Sequence, residues 1–107
     1  MPEMSKVKVT VIKRTVNTDM AEEYLNTELT GEFGACERFR DGQEIVIERL
    51  FDLPEGFCPW AWADIRKDIE TIAAGGNLSW VKQPGTAIAG CTDWFRPVIF
   101  KIERIEE

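Results

Sequence analysis

The residues best suited to chemistry in this sequence are three cysteines, Cys36, Cys58 and Cys91, two carboxylates, Asp64 and Asp93, and Arg96. A thiol becomes a strong nucleophile and a soft-metal ligand once it is deprotonated. Cys58 precedes Pro59 at the predicted start of a helix, where unpaired N–H groups and the helix dipole favour a thiolate. The competing reading makes Cys58 a small buried hydrophobe beside Phe57 and Trp60. Cys91-Thr92-Asp93 ends a predicted strand, with Arg96 three residues further on. Strand ends often present side chains to a cleft, and the planar fork of an arginine suits a carboxylate or another anion. Equally, Asp93 and Arg96 can form a structural ion pair bracing a turn that has neither Gly nor Asn. Asp64 in W-A-W-A-D can act as a catalytic acid or base if a cleft adjoins it, or simply complement the helix dipole.

The cysteine spacings are 22 and 33 residues, so no pair has the C-x-x-C pattern of a zinc knuckle or a thioredoxin-like site. Three is an odd number for a disulfide framework, which points to reduced thiols. A thiolate metal site from Cys36, Cys58 and Cys91, alone or across subunits, is an alternative that only the fold can assemble. With no histidine in the chain, Ser-His-Asp and Cys-His sites are excluded, as are zinc sites that need imidazole. No cofactor is specified by any motif.

Four tryptophans exceed what a core of this size requires. Trp60 and Trp62 lie two apart on one helix and therefore face different ways. Only one of them can point at the core; the other must line a groove, cover a loop or meet a partner. Trp80 and Trp94 fall in predicted loops, where exposed aromatics mark a binding surface or an interface. Trp60, Trp62, Trp94 and Arg96 are thus candidate ligand-binding residues, while Cys58, Asp64, Cys91 and Asp93 are candidate catalytic ones.

The elements that must position these groups follow from periodicity. Lys6 to Ile12 alternates with Val7, Val9 and Val11 on one face, a half-buried strand. Asn17 or Thr18 can cap a short helix with Met20, Tyr24 and Leu25 as its apolar stripe. Thr30 to Asp41 reads as a loop carrying Cys36, and Gln43 to Leu50 as a second strand after the Asp41-Gly42 turn. Ala61, Ile65, Ile69 and Ile72 then fall at i, i+4, i+8 and i+11, one face of a helix of about four turns. Pro59 is pre-organised for its first position and Gly75-Gly76 for its end. After a loop holding Trp80 and Pro84, Thr86 to Cys91 reads as a small-residue strand buried on both faces. Pro97 to Ile105 alternates as a last strand, and Lys101 to Glu107 as its solvated end and acidic tail. These elements predict one α+β domain over residues 1–107: about four strands in a mainly antiparallel sheet, with one main helix packed on it.

Composition narrows the classes. With 107 residues, 44% of them hydrophobic, the chain is long enough for one core without disulfide or metal staples. Thirteen basic against nineteen acidic residues give a net charge of −6 without a basic block, which argues against nucleic acid. No apolar run approaches the roughly 20 residues that span a bilayer, and the strand-like start reads as lacking a signal peptide. A cytoplasmic protein without membrane association is the expectation, and the surplus tryptophans suggest a homo-oligomer.

Several stretches carry a resemblance: K-V-T-V-I-K-R-T from Lys8, D-M-A-E-E-Y-L from Asp19, G-Q-E from Gly42, F-C-P-W-A-W-A-D-I from Phe57 and C-T-D-W-F-R-P-V-I-F-K-I-E-R-I from Cys91. Together they resemble a family of small, uncharacterised bacterial and archaeal proteins over nearly the whole chain. The resemblance implies that Cys36, Cys58, Trp60, Trp62, Asp64, Cys91, Asp93, Arg96 and Pro97 are recurring positions, and it implies no activity. Glu37 and Trp94 stand where the family pattern has Pro and Gly, and a bulky Trp94 is able to fill or reshape a pocket beside Asp93. The functional expectation is a small-molecule binding domain, with or without catalysis by a Cys58 thiolate, whose pocket lies between the helix start and the end of the small-residue strand. The alternatives are the three-cysteine metal site and a non-catalytic oligomeric subunit.

Overall fold

The computed structural model describes residues 4–26, 28 and 33–106. Its elements run β1 (Val7–Arg14), α1 (Thr18–Tyr24), β2 (Glu44–Ile47), α2 (Pro59–Ala73), β3 (Thr86–Gly90) and β4 (Val98–Arg104). The four strands form one antiparallel sheet in the order β2-β1-β4-β3, an α+β architecture.

Alternation decides which sheet face is covered. Val7, Val9 and Val11 of β1 and Val98, Phe100 and Ile102 of β4 are fully buried, and they meet Ala61, Ile65, Ile69 and Ile72 of α2 in one core. The helical spacing and the strand alternation therefore identify the same interface. On the opposite face Lys8 lies between Glu44 and Glu103, and Lys101 also reaches Glu103, so cross-strand charge pairs replace a second apolar layer.

Near its end β1 carries a bulge: Val11 pairs with Phe100, but Lys13 already pairs with Ile99. Because the extra residue is Ile12, the in–out parity reverses after it, and Arg14 rather than Lys13 shares the buried face with its partner Val98. This reversal sends the Arg14 guanidinium into the loop that carries Cys36.

Four expectations are corrected. The small-residue strand is not buried on both faces: β3 is an edge strand, and Ile88 is 49% exposed. Its alanines are small because Ala87 and Ala89 face α2 across a close approach, not because a layer covers both sides. The stripe expected on α1 is absent too. Ala21 is its buried residue, and Met20 and Tyr24 point outward, since a helix of seven residues resting on a small side chain can sit close to the body. Asn17 occupies the N-cap without capping, because its amide donates to the Trp94 carbonyl instead. Third, Arg104 is not a solvated strand end: its side chain is only 12% exposed and serves the C-terminal end of α2. The second strand is also shorter than expected, ending at Ile47. Residues 30–32 of the expected Cys36 loop, and Glu107 of the acidic tail, lie outside the described residues.

Candidate functional site

Three segments converge at the N-terminal end of α2: the loop around Cys36–Phe39, the helix start at Cys58–Ala61, and the connection from Cys91 to Val98 between β3 and β4. Between them lies a cavity of about 450 Å³, with Cys36, Cys58 and Cys91 all in its wall. Its floor belongs to an aromatic cluster. Phe39 stands edge-on to Phe57 and to Phe100 at 5.1 and 5.2 Å between centroids, and Phe57 packs in turn on Trp62. Trp60 and Trp94 are two-thirds exposed and stand at the rim. Trp94 thus borders the cavity without filling it.

Each segment is held by named bonds. Arg14 donates through one Nη to the carbonyls of Cys36 and Phe39, at 2.9 and 3.1 Å, while its Nε reaches Asp41. The cysteine loop is thereby fixed by a charged side chain 22 residues away. The 91–98 connection is held from both sides. On one side the Asp64 carboxylate accepts from the Thr92 backbone N–H at 2.7 Å and from the Thr92 hydroxyl at 2.9 Å. The Trp60 indole N–H donates to that same hydroxyl at 2.7 Å. On the other side the Pro97 and Phe95 carbonyls accept from the backbone of Thr15 and Asn17. Inside the connection, Asp93 Oδ1 accepts from the N–H groups of Phe95 and Arg96, and Oδ2 faces Arg96 Nε at 3.4 Å.

Cys58 is the N-cap of α2, in extended conformation with Pro59 following, and its side chain makes no capping bond. Cys91 accepts the Val98 N–H on its sulfur at 3.3 Å, which closes the β3–β4 end around the thiol. The tryptophan argument is met in detail: Trp62 is core, buried against Phe57, whereas Trp60 turns to the cavity rim.

The structure therefore brings together Cys36, Cys58, Cys91, Trp60, Asp93, Trp94 and Arg96 as cavity residues, and gives Thr92 a place among them. It does not bring Trp62 to the wall, and it makes Asp64 a brace behind the wall. The Asp93–Arg96 ion pair foreseen as turn bracing is present. The alternative metal site from Cys36, Cys58 and Cys91 is not assembled within the chain: among the described residues no three Cys, Asp or Glu side chains are grouped so as to hold a metal ion. No described helix is long and apolar enough to cross a membrane.

Sequence reasoning missed Arg14, Asn17, Phe39 and Thr92. The bulge that turns Arg14 inward leaves no mark on the alternation of K-V-T-V-I-K-R. Thr92 could have been found, because a hydroxyl beside a strand end is a ready partner for a helix carboxylate. No family model, curated protein or solved structure matches this chain.

Proposed function

We propose that this protein binds a small, mainly apolar molecule in the cavity at the start of α2. The observation that carries the reading is the convergence of three segments on one cavity of about 450 Å³ walled mainly by thiol, aromatic and aliphatic groups. A concave, mostly apolar space of ~300–1,000 Å³ with a few convergent polar groups is the usual form of a small-molecule site. Cys58 stands where a bound electrophile would meet its sulfur, so thiol addition is the reaction this wall can offer.

Titration with the uncharged dye N-phenyl-1-naphthylamine tests the reading. One saturable site with quenching of tryptophan emission is expected, because Trp60 and Trp94 border the cavity. Cys36→Phe, which places a ring in the void, should abolish it. Unsaturable dye uptake, or uptake unchanged by C36F, overturns the proposal. For the thiol chemistry, unchanged reactivity toward N-ethylmaleimide in Cys58→Ala would remove Cys58 as the reactive group.

Self-association is a second reading, favoured by Trp80, which is 78% exposed and stands apart from the cavity wall. Light scattering over a range of concentrations decides it: a constant monomer mass sinks it.

A further inference from the structure

Resting on the cavity reading, we infer that the ligand is an apolar carboxylate whose anionic end is held by Arg96. Among the described residues Arg96 is the one cation in the cavity wall. Its guanidinium is fixed from two directions without being used up. Nε faces Asp93 Oδ2 at 3.4 Å, and the guanidinium carbon lies over the Phe33 ring, 5.5 Å from its centroid. Phe33 is itself set edge-on against Phe95 of the same connection. Both terminal nitrogens of Arg96 make no hydrogen bond to the described residues, and the side chain is 38% exposed. A guanidinium oriented by Nε and by an aromatic face, with its two Nη groups open, is prepared for a bidentate carboxylate.

Among the described residues Asp93 is the one carboxylate in that wall. Its Oδ1 is occupied by two backbone N–H groups, and its Oδ2 faces the Nε of the guanidinium. The rest of the lining is sulfur, aromatic ring, Ala61, Val98 and the Thr92 hydroxyl, which is already shared between Asp64 and Trp60. With the Asp93 carboxylate occupied by two backbone N–H groups and by Nε, the open Nη groups at the edge of an otherwise apolar wall define a molecule with one anionic end and an apolar body. The body would lie among Cys36, Cys58 and Cys91 with Trp60 and Trp94 along its sides.

The test compares 1-naphthylacetate with its uncharged isostere 1-naphthylacetamide by isothermal titration calorimetry. The intact protein should bind the carboxylate at least ~10-fold more tightly, an advantage that shrinks as salt is raised. Arg96→Gln should remove that preference, so that the variant binds the two compounds alike, and its circular dichroism spectrum shows whether it is folded. Equal binding of both compounds to the intact protein overturns the carboxylate inference while the cavity reading stands. Binding of neither overturns both. If R96Q does not fold, the carboxylate-to-amide ratio in the intact protein and its salt dependence decide alone. A preference that survives in R96Q assigns the anion to another group and also overturns the inference.

Discussion

At the C-terminal end of α2, the four carbonyls that a helix leaves unpaired all have partners. Those of Glu70, Thr71, Ile72 and Ala73 accept from the N–H groups of Ala74, Gly76, Gly75 and Ser5. Gly75 takes the positive φ of 97° that this closure requires. Arg104 adds bonds to the carbonyls of Ile72 and Gly76 and to Asn77, whose amide oxygen also accepts the Gly85 N–H. The N-terminal end is built the other way. Pro59 has no N–H, Cys58 does not cap, and the N–H groups of Trp60 and Ala61 have no partner among the described residues. One end is closed by hydrogen bonds and a cation matched to the dipole; the other opens on a cavity edged by exposed rings. The difference teaches that stability and binding capacity are assigned to opposite ends of one helix.

If that division holds, the largest stability effect belongs to the closed end. Arg104→Met keeps the stem but removes the charged donors, and it should cost about 3 kcal/mol, since bonds to a charged group are worth ~1.5–3 kcal/mol each and the carbonyls left behind are shielded from water. Thermal unfolding should show a midpoint lower by roughly 12–24 °C, at about 4–8 °C per kcal/mol for a domain of this size. Dye binding to the folded variant should be unchanged. Loss of binding together with stability would break the comparison. Asp64→Ala at the open end should reverse the ratio: about 2 kcal/mol of stability, but at least ~10-fold weaker dye binding, as the 91–98 connection loses two bonds to α2. Asp64→Asn keeps an acceptor and should restore part of the affinity, which distinguishes positioning of the connection from a charge requirement at the site.

The two ends also differ in how far they could be read from residues. Ala61, Ile65, Ile69 and Ile72 announce the helix, Pro59 its start and Gly75-Gly76 its end, because these signals are local and each has a steric or hydrogen-bonding cause. The strand alternation of β1 and β4 is equally plain, since burial on one face imposes a period of two. The meeting of the Cys58 and Cys91 segments was likewise anticipated from element ends. Arg14 and Arg104 were invisible as structural cations, because each acts on carbonyls more than 20 residues away and only the folded sheet sets that distance. β3 was misread for a related reason: small side chains are needed wherever a helix approaches closely, and T-A-I-A-G has the same composition at an edge as in a centre. The Asp93–Arg96 turn was legible as a pair, yet the open side of the guanidinium was not, since it depends on Phe33 arriving from a distant loop.

The smallest expected effect is also the sharpest test of why the open end is open. Cys58 has N-cap backbone geometry, with φ −66° and ψ 121°, and lacks only an oxygen to accept a helix N–H. Replacing it with serine supplies that oxygen, and a serine cap is worth ~0.5–2 kcal/mol relative to a residue that cannot cap. Part of this is offset by the apolar contact the sulfur makes at the edge of the core. Cys58→Ser should therefore raise the unfolding free energy by about 0.5 kcal/mol in urea while weakening dye binding, because the cap turns toward the helix the group that otherwise faces the cavity. A protein kept at less than its attainable stability by a single side chain at its proposed site is the pattern expected where binding, not folding, selects the residue. A stability loss in C58S, with dye affinity intact, would instead make the sulfur a packing group and return this end of the helix to the same structural plan as the other.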